Sequence, residues 1–204
     1  MSYQKSTTVN HAGSAAPAAS SNVTSTVMTA FFAAVIFLGI QSFRIPLPAA
    51  VGTPFLHFGH IFVMLAILCL GSRRSAIAGV LGLVIFDLLN GYIQSIPNVF
   101  VSTIIKCLLV GTINSLLKKL ANGNAKKEYA CAVICAAIYG ITNIVVDFIW
   151  SAAELILLGS APAAAITAEL TSIPATMINA GFTVIGIALL YVPVTSAYKR
   201  VERR

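Results

Sequence analysis

Asn143, Asp147, Trp150 and Glu154 follow one another at intervals of four, three and four residues inside a long apolar stretch. In a helix turning about 100° per residue, that spacing gathers them on one narrow face. An amide, two carboxylates and an indole on one face can hold a planar molecule that hydrogen-bonds along its edge. His57 and His60 stand one helical turn apart at the head of another apolar run, so both imidazoles can face one cavity. Asp87 and Lys106 add two charges within apolar surroundings. A charge at the centre of a bilayer costs about 3 kcal/mol on insertion scales, so each needs a compensating contact. Their expected depths nearly match, which admits either a buried ion pair or direct ligand contact. The last apolar run carries Ser172, Thr176, Asn179 and Thr183 at similar spacing. Hydrogen bonding between helices accounts for most of that set, with Asn179 kept as a binding candidate.

The same inventory argues against catalysis. No nucleophile–base pair, catalytic residue or metal-ligand set stands out, and no cofactor motif is present. The sequence also lacks the G-x-x-x-x-G-K-[ST] pattern that would cradle nucleotide phosphates. Any energy must therefore come from a partner or a gradient. Cys69, Cys107, Cys131 and Cys135 all lie in apolar runs, where a thiol packs as a small hydrophobe.

The elements that position these groups follow from the solvent. Hydrophobic residues make up 58% of the 204 and charged ones 9%, against about 25% charged in soluble domains. The mean hydropathy is +0.91. Apolar runs long enough for a hydrocarbon core roughly 30 Å thick recur along the chain. They fall near 26–43, 57–70, 75–92, 97–117, 129–158 and 173–191. The expected fold is all-α: a polytopic six-transmembrane-helix bundle in the cell membrane, in contact with the lipid bilayer. Residues 1–22, small and polar, read as a disordered cytoplasmic tail. Residues 23–195 form the six-helix domain, and residues 196–204 a basic cytoplasmic tail.

Charge orients the bundle. Thirteen Lys and Arg face six Asp and Glu. Arg73 and Arg74 lie between runs two and three, and Lys118, Lys119, Lys126 and Lys127 between four and five. Lys199, Arg200, Arg203 and Arg204 close the chain, whereas Arg44 is alone on the opposite side. The positive-inside rule then makes both termini cytoplasmic. The basic balance reports topology and not nucleic-acid binding.

The segment "RIPLPAAVGTPFLHFGH" joins runs one and two on the outer side. Its prolines favour extended chain and remove backbone donors. It brings His57 and His60 level with Asp87, Trp150 and Glu154. A rigid outer loop, imidazoles, carboxylates and an indole thus converge at one end of the bundle, as an outward-facing pocket requires.

The stretches "RIPLPAAVGTPFLHFGHIFVMLAILCLG", "SAIAGVLGLVIFDLLNGY" and "PNVFVSTIIKCLLVGTI" resemble the substrate-binding S components of energy-coupling factor (ECF) vitamin transporters. The resemblance is specific over residues 30–113. It implies six helices, cytoplasmic termini and a micronutrient bound near the outer face by the first loop and later helices. It also implies a partner module of one transmembrane coupling protein and two ATPase subunits. Ala30 and Ala34 match the small-xxx-small pattern through which the first helix would dock on the coupling protein, a spacing that permits close helix approach.

Only Arg44 and Lys106 could meet a strongly anionic vitamin. Acidic and amide groups suit a neutral or cationic heteroaromatic, such as a pyridoxine-like vitamer or hydroxymethylpyrimidine. Riboflavin and a queuosine precursor are the alternatives within this class. A proton-coupled secondary transporter using Asp87 or Asp147 is the alternative outside it, although no inverted repeat supports it.

Overall fold

The computed structural model describes residues 18–47 and 55–202. Outside the described residues lie 1–17 of the expected tail with Lys5, the extended re-entry at 48–54, and Arg203 and Arg204. Six α-helices account for nearly all of the described chain: α1 (Ala18–Gln41), α2 (Gly59–Leu70), α3 (Ser72–Asn90), α4 (Ile96–Ala121), α5 (Ala125–Leu157) and α6 (Pro162–Glu202). Helix α1 thus begins inside the stretch expected to be tail, and α6 runs on through most of the basic C-terminal segment. Two short strands, β1 (Ile45–Pro46) and β2 (Phe55–Leu56), pair antiparallel in the first loop, with Ile45 opposite Leu56 and Pro46 opposite Phe55.

Helix α2 is only 12 residues long, too short to cross a bilayer unaided. It is apolar on every side, and Val63, Met64, Leu65, Ala66 and Ile67 are fully buried. A helix that is hydrophobic all round belongs inside, and α2 packs against α1, α3, α4 and α6. Helices α1, α4, α5 and α6 have the length and apolar composition to span a membrane. They present Phe31, Leu38, Leu109, Ile141, Ile149 and Leu189 outward, as lipid contact requires.

Close approach between α1 and α3 depends on Gly82. A Cβ placed there would lie 2.7 Å from the Ala33 carbonyl oxygen and 2.8 Å from Ile36 Cβ. The α4–α5 connection turns through Asn122 and Gly123, both at positive φ, and Asn124 then caps α5 by accepting from the Lys126 and Lys127 N–H groups. This is the turn expected from "NG".

The sixth helix differs most from expectation. It starts at Pro162, not near residue 173, and carries Pro174 and Pro193 inside it. The polar run "TAELTS" before Pro174 reads as loop in sequence, yet Glu169 within it is buried. In a bundle, neighbouring helices re-satisfy the backbone groups that an internal proline frees.

The basic groups collect at one end. Lys118 Nζ donates to the Leu68 carbonyl at the end of α2 (2.8 Å), and Lys199 pairs with Glu128 at 3.5 Å, tying the end of α6 to the start of α5. At the opposite end Arg44 donates to Asn90 Oδ1 (3.2 Å), joining the exits of α1 and α3. The positive-inside rule makes the first end cytoplasmic.

Candidate functional site

A cavity of about 530 Å³ opens among β2, the start of α2, the end of α3, and α4, α5 and α6, at the end opposite the basic one. Each wall has a local reason. Helix α3 ends with Gly91 in the left-handed region, and a 3-10 turn over Ile93–Ser95 leads into α4, whose second residue is Pro97. That pre-set first turn suits a proline, which has no N–H to leave unpaired. The turn supplies Gln94 and Ser95, and the following helical face supplies Asn98, Ser102, Thr103 and Lys106. The spacing of 95, 98, 102 and 106 is an ordinary helical stripe.

An aromatic wall stands beside it. Phe55 lies 5.9 Å from Phe86 and 6.1 Å from Tyr92, while Phe86 and Tyr92 stack with centroids 6.0 Å apart. The Arg44 guanidinium sits 5.3 Å above the Phe86 ring, a cation–π contact at the rim. Asn179 on α6 donates to the Phe55 carbonyl at 3.2 Å, which holds β2 against the bundle.

A chain of polar contacts runs beneath the cavity. The rings of His57 and His60 are 4.8 Å apart. The Gly59 N–H donates to His57 Nδ1 at 3.0 Å, so that nitrogen is an acceptor and any ring proton is on Nε2. His60 Nδ1 and the Tyr139 hydroxyl share a hydrogen bond of 3.0 Å. Lys106 Nζ lies 5.6 Å from the centre of the Tyr139 ring and donates to Asn143 Oδ1 at 2.5 Å. Asn143 Nδ2 in turn donates to Asp147 Oδ2 at 2.7 Å. One ammonium, one amide and one carboxylate thus satisfy one another across α4 and α5.

Of the residues singled out in the sequence, His57, His60, Asp87, Lys106, Asp147, Glu154, Ser172 and Thr176 line this cavity. Asn143 and Asn179 instead line a much smaller pocket behind it, with His60 and Tyr139. Trp150 lines neither. Relative to Asp147 it is turned about 60° one way, whereas Ser151 is turned about 40° the other way, toward the cavity. Phe148, Ser151 and Leu155 occupy the face that the four-three-four spacing assigned in part to the indole. The Asp87–Lys106 ion pair does not form either. Both line the cavity, but Lys106 is taken by Asn143, and Asp87 Oδ2 has no hydrogen-bond partner.

The sequence reading missed Asn98, Ser102 and Thr103, although their helical spacing was available. It missed Glu169 because the start of α6 read as loop, and it treated Ser172 and Thr176 as helix contacts only. Among the described residues, no three His, Cys, Asp or Glu converge as metal ligands. Ala30 and Ala34 lie on the exposed face of α1, away from the cavity and beside exposed Val27, Phe31 and Leu38.

A membrane-embedded six-helix bundle, with a basic cytoplasmic end and a polar cavity opening at the other, has the form of a small-solute binding subunit. The chain belongs to the family of ECF-type riboflavin transporter S components, which it matches over residues 20–199. Members of this family are substrate-binding subunits for vitamin uptake and work with an ECF module of transmembrane and ATPase subunits. Its fold is similar to that of ThiT from Listeria monocytogenes serovar, with a TM-score of 0.61 at 15% identity over 89% of this chain and 98% of that one. No curated protein matches the chain.

Proposed function

We propose that this protein captures riboflavin or a close flavin at the outer face of the cell membrane and passes it inward when docked on an ECF module. The observation that carries the reading is the cavity itself. At about 530 Å³ it falls within the range of drug-sized ligand sites, roughly 300–1,000 Å³. Phe55, Phe86, Tyr92 and Phe148 offer apolar surface to a flat ring system. Gln94, Ser95, Asn98, Ser102, Ser151 and Thr176 offer hydrogen bonds to a hydroxylated chain. The family's name points to the same ligand.

In this reading His57, His60, Asp87, Asp147 and Glu154 contact the ligand, and Asn143 and Asn179 support those contacts from behind. Nothing is hydrolysed by this chain. The exposed Ala30 and Ala34 form the seam for the coupling protein, and the energy for inward release comes from the two ATPase subunits.

Flavin emission is quenched when the ring stacks on aromatic side chains, so titrating riboflavin with the detergent-purified full chain tests the proposal. Saturable quenching at one ligand per chain is expected. Unquenched emission at high protein concentration would refute it.

A second reading rests on the charges. Four carboxylates, Asp87, Asp147, Glu154 and Glu169, line the cavity against one ammonium, Lys106, which favours a cationic heteroaromatic such as a protonated pyridoxine-like vitamer or hydroxymethylpyrimidine. Native mass spectrometry of the purified protein separates the two by the mass of any ligand carried with it.

A further inference from the structure

Three oxygen atoms on the α3–α4 wall are buried without a hydrogen-bond partner: Asp87 Oδ2, Asn98 Oδ1 and Thr103 Oγ1. All three side chains line the cavity. Asp87 is 7% exposed and Thr103 1%. Buried polar groups in proteins are almost always hydrogen-bonded, and an orphan calls for an explanation. Here the three orphans share one wall and one polarity. The Asp87 and Asn98 atoms can only accept, and the Thr103 hydroxyl can accept as well. Lys106, which lines the same cavity, donates to Asn143 and to none of the three. The last side-chain torsions of Asp and Asn are broad, so a small turn brings each oxygen to a donor entering the cavity. Thr103 is steadied by its methyl, which occupies the space that a side chain on Gly79 would fill, 2.8 Å from that Cβ position.

We infer that this wall is a donor-seeking subsite in which Asp87, Asn98 and Thr103 accept hydrogen bonds from the hydroxyl groups of a polyol chain on the ligand. The inference rests on the flavin reading above and adds to it which end of the ligand lies on which wall. Three acceptors on two helices need several donors on a flexible chain. The edge of a flavin ring offers one N–H, whereas its ribityl chain offers a row of hydroxyls. Asp87 is then the specificity-determining residue. An analogue without hydroxyls leaves its carboxylate buried and unpartnered, the arrangement by which binding sites reject ligands lacking a donor.

Calorimetric titration of the purified full chain with riboflavin and with lumiflavin, which has the same ring but a methyl in place of the ribityl chain, tests this directly. The unaltered protein should bind riboflavin at least about tenfold more tightly than lumiflavin. Asp87→Leu should weaken riboflavin roughly ten- to a hundredfold, the usual range for a hydrogen bond to a charged acceptor, and leave lumiflavin within about twofold. Because Asp87 Oδ2 has no partner to lose, the same change should leave the unfolding midpoint of the ligand-free protein unchanged or raise it. Thr103→Val keeps the methyl on Gly79 and should weaken riboflavin alone by about tenfold; it decides the matter if Asp87→Leu does not fold. Equal binding of the two flavins by the unaltered protein, or equal loss of both in the variants, would overturn the subsite while leaving the flavin reading intact. Binding of neither flavin would overturn the flavin reading, and the subsite with it.

Discussion

Lys106 meets Asn143, at 2.5 Å, and not Asp87, although both Asp87 and Lys106 line the same cavity. The amide relays the ammonium to Asp147, which accepts from Asn143 Nδ2 at 2.7 Å. Lys106 and Asn143 are both more than nine-tenths buried, so the energetic consequence is large. Removing one member of a buried charged set strands the rest.

Lys106→Met should therefore destabilise the ligand-free protein strongly, by about 3 kcal/mol or more, because the Asp147 carboxylate loses its compensating charge. Adding Asp147→Leu should recover much of that loss, while adding Asp87→Leu should recover none. Thermal unfolding in detergent of the two double variants reads the difference. Recovery through Asp87 would mean that Lys106 is balanced by the wrong carboxylate here.

The aromatic groups divide in a way that a single pair of substitutions reveals. Phe148 lines the cavity and Trp150 does not. Phe148→Ala should weaken flavin binding by about tenfold through lost ring contact and apolar burial, whereas Trp150→Phe should change it by less than about twofold. Quenching titrations of both variants check this. A larger effect at Trp150 would restore the indole to the binding face.

The proposed docking seam predicts a separation of binding from transport. Ala30 and Ala34 are exposed on α1, and a leucine at position 34 would hold a neighbouring helix away. Ala34→Leu should abolish uptake in cells that carry the full transporter and leave ligand affinity of the purified chain within about twofold. Unimpaired uptake would remove this face as the seam.

Packing between α1 and α3 gives a fourth expectation. At Gly82 a Cβ would press on the backbone carbonyl of Ala33 at 2.7 Å, and backbone cannot turn aside as a side chain can. Gly82→Ala should cost about 1–3 kcal/mol of stability, the usual range for overpacking, whereas Ala at the exposed Ile85 position nearby should cost far less. Paired thermal unfolding measurements suffice.

Sequence alone determined the solvent, the helix count and the orientation. These depend on quantities that add along the chain: apolar length against bilayer thickness, and Lys and Arg counts at the segment ends. His57, His60, Asp87, Asp147 and Glu154 were legible as cavity residues for a similar reason, since a titratable group in an apolar run is conspicuous wherever it points. Tertiary structure decided everything that depends on which way a helix is turned and what stands opposite. Trp150 and Ser151 are neighbours in the chain, yet only Ser151 reaches the cavity, because one residue is about 100° of rotation and the packing of α5 on α4 and α6 sets the zero. Depth matched Lys106 to Asp87, but its partner is an amide on α5 that depth cannot reveal. Glu169 was hidden because a polar run before a proline looks like a loop until neighbouring helices bury it.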